Sequence, residues 1–215
     1  MDDQTEIASS FTVGKYRQIR LNLDASAPCT EDWQAVFGAF KRRIRERFLR
    51  PIRELAKHDK KCLKAGIKLV DGRGLPYAPG ASILALDCLL IDTIQSFREG
   101  RGLTATISPA RSFKEFLRSS NGFSDFTSRD REDFFGDVRN GLLHNGETRG
   151  NWKFRIDVPR LLIKDQQSRT INRRIFHARI VREFRQFCWS LTSVGDSAIE
   201  AKDHFLRRMD AICGV

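Results

Sequence analysis

The densest apolar run in the chain covers residues 83–94, and its only charged members are Asp87 and Asp92. At about twelve residues it falls short of the roughly twenty that a bilayer span requires. Extended to 81–99 it reads as a helix that is apolar on nearly every side and ends at Gly100. A helix of that kind lies at the centre of a bundle, with other helices covering it. The two carboxylates inside it must then pair or face a polar cavity, because an unpaired charge in an apolar interior is too costly to keep. The rest of the chain must supply amphipathic partners.

It does so repeatedly. Thr30-Glu31-Asp32 offers a capping hydroxyl and two acids to a helix start. Trp33, Val36, Phe37, Phe40, Ile44 and Phe48 follow at helical spacing, and the opposite face is almost entirely Arg and Lys. Pro51 kinks this helix or begins a new segment. Pro109 opens a shorter helix through Phe113, Phe116 and Leu117, which Asn121-Gly122 breaks. Thr127 or Ser128 caps the next, where Phe134, Phe135, Val138, Leu142 and Leu143 recur until Asn145-Gly146 provides a stop. Two further helices are expected over 172–191 and 197–212.

Strand signals are few. Ile19, Leu21 and Leu23 alternate with polar residues in an otherwise polar leader, suggesting a short strand. Trp152, Phe154 and Ile156 alternate as well, with 161–164 and Thr170-Ile171 as a hairpin partner around residues 165–168. Residues 71–80, DGRGLPYAPG, read as a loop. These signals give an all-α bundle with a small β-hairpin in three parts: a leader over 1–29, a basic helical region over 30–75 and a helical domain over 76–215.

Charge narrows the partners. The chain carries +11, and residues 41–68 hold twelve basic side chains against three acidic ones. A second excess over 169–185 sets six arginines against Glu183. Such fields favour a polyanion through phosphate contacts and counterion release. Arg42, Arg43, Arg45, Arg173 and Arg174 are the candidate contacts for RNA. The plainer reading of each run is a solvated basic surface.

Other chemistries find little footing. Cys29, Cys62, Cys88, Cys188 and Cys213 are scattered, with no C-x-x-C pair, and no H-E-x-x-H is present. Neither a metal centre nor a disulfide framework is expected. There is no Gly-rich phosphate loop and no G-x-S-x-G, so no cofactor is expected either. The N-terminal residues lack the basic and apolar regions of a secretory signal, which suggests a cytoplasmic chain without a membrane partner.

One local constellation remains: Arg139-Asn140-Gly141-Leu142-Leu143-His144. Its skeleton, R-x-x-x-x-H, occurs a second time at Arg53 and His58, so spacing alone does not choose. Context does. A polar Asn follows Arg139, two leucines precede His144, and the histidine stands where its helix stops. Asn140 and His144 share a helix face at i, i+4. Arg139 and His144 lie about 140° apart on an ideal helix. They converge only if the helix end frays or tightens.

These residues resemble the HEPN superfamily, whose ribonuclease members carry the motif R-polar-x-x-x-H. The resemblance extends through FKEFL, DFFGDVRNGLLHNGE and the buried ILALDCLLIDTIQSFREG, covering about 81–191. It implies an all-α, HEPN-type helical bundle with a small β-hairpin and a basic N-terminal helical extension. It also implies a metal-independent endoribonuclease that cleaves RNA by 2′-hydroxyl transesterification, in a toxin–antitoxin or anti-phage setting. On this basis Arg139 and His144 are catalytic and Asn140 supports them, with Asp87 or Asp92 behind them. The resemblance further implies a homodimer with a composite active site, and an antitoxin or defence-system partner. Some toxin members carry a Tyr two residues after the motif histidine; this chain has Gly146 there. The alternative is a catalytically inactive module of the same type that binds RNA, a nucleotide or a partner protein.

Overall fold

A computed structural model describes residues 1–26, 30–64, 79–102 and 107–215, with the side chains of 58–64 not included. Most of the expected loop over 71–80, the boundary near 75, residues 65–68 of the basic run, Cys29, and the side chains of His58 and Cys62 lie outside the described residues.

The protein is mainly α-helical, with two small sheets. The N-terminal elements are β1 (Glu6–Ala8), β2 (Phe11–Thr12), α1 (Val13–Arg20), α2 (Glu31–Ile44) and α3 (Arg50–Lys64). The apolar helix is α4 (Gly80–Arg98), followed by α5 (Pro109–Ser119) and α6 (Ser128–Asp133). Then come β3 (Trp152–Arg155), β4 (Leu162–Lys164), β5 (Arg169–Asn172), α7 (Arg173–Ser190) and α8 (Asp196–Cys213). Contacts divide the chain into two compact units, each assembled from separated stretches.

The first unit comprises Met1–Arg50, Thr93–Ile107 and Phe184–Val215. Its leader is structured. β1 and β2 pair antiparallel, and the Thr12 hydroxyl then accepts from the Lys15 N–H to start α1. The alternation at Ile19, Leu21 and Leu23 is therefore not a strand. Val13 and Tyr16, one helical turn apart, are buried, and Leu21 is left 95% exposed just past the helix end. Asp210 of α8 ties α1 down, accepting from the Tyr16 hydroxyl at 2.6 Å and Arg20 Nε at 2.6 Å. The core centres on Phe40, whose ring lies 4.5 Å from that of Phe97 and 5.3 Å from that of Phe205. Trp33, Val36, Phe37, Phe40 and Ile44 are buried as the apolar spacing requires, whereas Phe48 is only half-buried. A wide π turn over Arg45–Leu49 takes Phe48 off the stripe. That turn comes directly before Pro51, which has no N–H to donate and crowds the carbonyl of the preceding turn.

The second unit comprises Pro51–Asp92 and Ser108–Glu183. Ser108 caps α5 with Pro109 in its first turn, and Thr127 forms a capping box with Asp130 at α6. The core is a run of aromatic rings with Phe134 at its middle. Phe134 stacks on Phe113, with centroids 6.2 Å apart, and meets Phe126, Trp152 and Phe176. The expected hairpin is half of what forms. β4 and β5 pair antiparallel around residues 165–168, but β3 joins the other edge of β5 in parallel, giving the order β3-β5-β4. Alternation reports which side chains face the core and leaves strand direction open.

Candidate active site

The motif lies in the second unit, on the helix that begins as α6. Past Asp133 its winding opens into two π segments, Phe134–Arg139 and Gly141–Asn145, and the chain then leaves through Gly146 at φ +73°. The Asn140 N–H donates to the Phe135 carbonyl, five residues back. A helix that bonds residues five apart takes more than four residues to a turn, so residues i and i+5 stand closer in angle than the roughly 140° of an α-helix. The angle between Arg139 and His144 is therefore smaller than an α-helix would set. The end neither frays nor tightens; it widens.

Gly141 lets the following chain pass close to the wide turn. A Cβ there would stand 2.5 Å from the Glu147 carbonyl oxygen, because residues 147–149 fold back against the helix. The Arg149 N–H donates to the Asp137 carbonyl, and the Trp152 indole lies 3.3 Å from Asp137 Oδ2. The β3 entry is thus fastened to the turn that carries the motif.

Arg139 is held on three sides. Its Nη2 and Nε donate to Asp92 Oδ2 at 2.8 and 3.2 Å, and its Nη1 donates to Asn140 Oδ1 at 2.9 Å. The guanidinium carbon lies 5.4 Å from the centroid of the Phe135 ring. The Arg139 and Asp92 side chains are 15% and 20% exposed. Three of the five guanidinium N–H groups are engaged, which leaves one on each terminal nitrogen. His144 is exposed, and no hydrogen bond to it is formed among the described residues. The expected contact of Asn140 with His144 is not formed. The Asn140 amide oxygen accepts from Arg139 instead.

The two acids of α4 divide. Asp92 supports Arg139, while Asp87 is fully buried and its Oδ1 lies 2.7 Å from His177 Nδ1 on α7. Burial pushes the Asp87 carboxyl above the ordinary carboxylate range, with the His177 bond pulling the other way. Its second oxygen is buried without a hydrogen-bond partner. Sequence reasoning did not reach His177, which sits in no motif. The one signal was the need of Asp87 for a partner, and ninety residues separate the two. Between the acids, burial holds the Cys88 thiol well above its usual range, so it stays an inert core residue. Among the described residues no three His, Cys, Asp or Glu side chains converge on a point where a metal ion could sit.

The arginine candidates divide too. Arg45 and Arg174 are exposed, but Arg43 donates to the Ile7 carbonyl at 2.9 Å, and burial lowers its pKa to about 10. Arg42 is half-buried, and Arg173 is 6% exposed. Arg43 and Arg173 are thus packed into the protein and do not stand as free phosphate contacts. A helix face rich in arginine is partly roofed by neighbouring chain, which the stripe pattern of one helix does not reveal.

No family model, curated protein or solved structure matches this chain.

Proposed function

We propose that the protein is a metal-independent endoribonuclease acting through Arg139 and His144. The observation that carries this reading is the π-wound helix end. It narrows the angle between His144 and a guanidinium already anchored by Asp92 and Asn140. RNA contains its own nucleophile, the 2′-hydroxyl. An imidazole takes that proton or supplies one to the leaving 5′-oxygen near neutral pH. A fixed guanidinium stabilises the charge that develops on the phosphorus oxygens. Asp92 and Asn140 position the guanidinium and leave one N–H unengaged on each of its terminal nitrogens. The reaction yields a 2′,3′-cyclic phosphate and a free 5′-hydroxyl, and no redox or metal step is needed to balance it. A second copy would double the Arg and His at one phosphate, and the resemblance favours such a homodimer in a toxin–antitoxin or anti-phage role.

The second reading, a non-catalytic module that binds RNA, a nucleotide or a protein, draws on the same ion pair. Asp92 offsets the charge that Arg139 would offer to a phosphate, as a purely structural arginine requires. Labelled RNA incubated with the protein in EDTA separates the two. Cleavage with cyclic phosphate ends, lost in His144→Ala, supports the enzyme. Intact RNA at every protein concentration removes it.

A further inference from the structure

Two adjoining cavities of about 600 and 450 Å³ share Pro159, Ile175 and Arg179 as walls, all within the second unit. Each is within the size range of small-ligand sites. Ile156, Val158, Pro159 and Ile175 make an apolar floor, and the rim is cationic. Arg174, Ala178 and Arg182 recur every fourth residue of α7, so they lie in one row along the helix. The two arginines are about 12 Å apart along the axis, with the small Ala178 leaving the space between them open. Arg160 stands on the rim of the smaller cavity.

The charge there is uncompensated. The one acidic wall residue, Asp125, is taken up by Arg179, whose Nη1 donates to it at 2.9 Å and also to the Gly122 carbonyl. No carboxylate among the described residues pairs with Arg160, Arg174 or Arg182. A row of free guanidinium groups beside an apolar floor calls for a ligand that is anionic at regular intervals and apolar between them. Guanidinium planes bind phosphates and also stack on bases. The geometry points to a binding groove for single-stranded RNA, its phosphates on Arg174 and Arg182 and an unpaired base over Ile175 and Pro159. A duplex hides the base faces that the floor would cover. The choice of RNA rests on the ribonuclease reading; the groove itself is tested by binding alone.

The test uses the full chain carrying His144→Ala, so that bound RNA stays intact, and a short fluorescent single-stranded RNA read by anisotropy. Arg174→Glu with Arg182→Glu should weaken binding at least about fivefold at 0.15 M salt and lower the slope of log K on log salt by about 1.4. Ala178→Trp fills the groove without changing its charge. It should weaken binding of the single strand, leave the salt slope alone and not alter binding of the duplex. Circular dichroism checks that these surface variants stay folded. Unchanged affinity in both variants overturns the groove. So does polyglutamate binding as tightly as RNA and losing that binding on charge reversal, which would make the partner an acidic peptide. Displacement by AMP alone at matching concentration overturns the strand in favour of a free nucleotide. RNA cleaved by the wild type with affinity untouched by the groove variants removes the groove and leaves the ribonuclease. RNA bound through the groove but never cleaved does the reverse.

Discussion

Arg139 gives two hydrogen bonds to a single oxygen of Asp92, a residue forty-seven positions earlier on the most apolar helix of the chain. A carboxylate in that helix needs a partner, and an arginine at a helix end needs something to stop its rotation. Each meets the other's need. Asp92→Ala should therefore reduce RNA cleavage by about a hundredfold, the usual consequence of a catalytic group displaced by an ångström or so. Stability should fall by about 1–3 kcal/mol in urea, because a mostly buried guanidinium loses its acceptor. Asp92→Asn keeps one acceptor oxygen and should recover part of both losses. Equal activity in wild type and Asp92→Ala would show that Asp92 does not position the arginine.

The two motif residues should part company in stability while agreeing in activity. His144 is exposed, so His144→Ala should shift unfolding by no more than about 0.5 kcal/mol. Arg139→Ala takes two hydrogen bonds from the Asp92 carboxylate and should cost about 1–3 kcal/mol. Both should abolish cleavage. Urea denaturation run beside the RNA assay checks this. A His144→Ala protein that cleaves at the wild-type rate in EDTA would end the catalytic reading.

Much of this arrangement was legible in the residues. The caps at Thr30 and Thr127 and the opening of α5 at Pro109 act over three or four residues and can be read directly from a sequence. The burial of Trp33, Phe40, Phe113 and Phe134 follows from helical spacing in the same way. The demand that Asp87 and Asp92 find partners was also plain. Which partners they found was not, because Asp92–Arg139 and Asp87–His177 join segments whose juxtaposition depends on the whole chain. The winding of the motif helix was hidden for a subtler reason. Its apolar residues satisfy an α-helical spacing, and the close return of residues 147–149 against Gly141 is a tertiary contact that spacing does not report. The parallel pairing of β3 with β5 was invisible because strand alternation has no direction.

Asp87 makes the stability of the protein depend on pH. Its carboxyl is raised by burial above the 3.8 of an unperturbed Asp. Between that ordinary value and the raised one, the folded chain holds a proton that the unfolded chain has lost. Stability attributable to Asp87 therefore falls as pH rises through this window and is recovered as pH drops below it. Asp87→Asn keeps an oxygen facing His177 and removes the buried charge, so it should be as stable as wild type or more so at neutral pH. The advantage should shrink as the pH is lowered towards 4. Melting curves of both proteins across that range check the sign, and an advantage that grows on acidification would refute it.

Gly141 tests whether the π winding itself matters. An added methyl would lie 2.5 Å from the Glu147 carbonyl oxygen, a backbone atom with no rotamer to retreat into. Gly141→Ala must therefore push residues 147–149 away or rewind the helix. Forced overpacking of this kind costs about 1–3 kcal/mol, more than the slight gain in helix propensity from replacing glycine. If the helix rewinds towards α geometry, Arg139 and His144 turn apart and cleavage falls much further than the stability loss explains. The measurement is turnover at saturating RNA and at a temperature where the variant is fully folded by circular dichroism. Loss of turnover there ties catalysis to the winding. Full turnover in a folded, destabilised Gly141→Ala would show instead that the two side chains work without the wide turn, and the narrowed angle between Arg139 and His144 would no longer support the assignment.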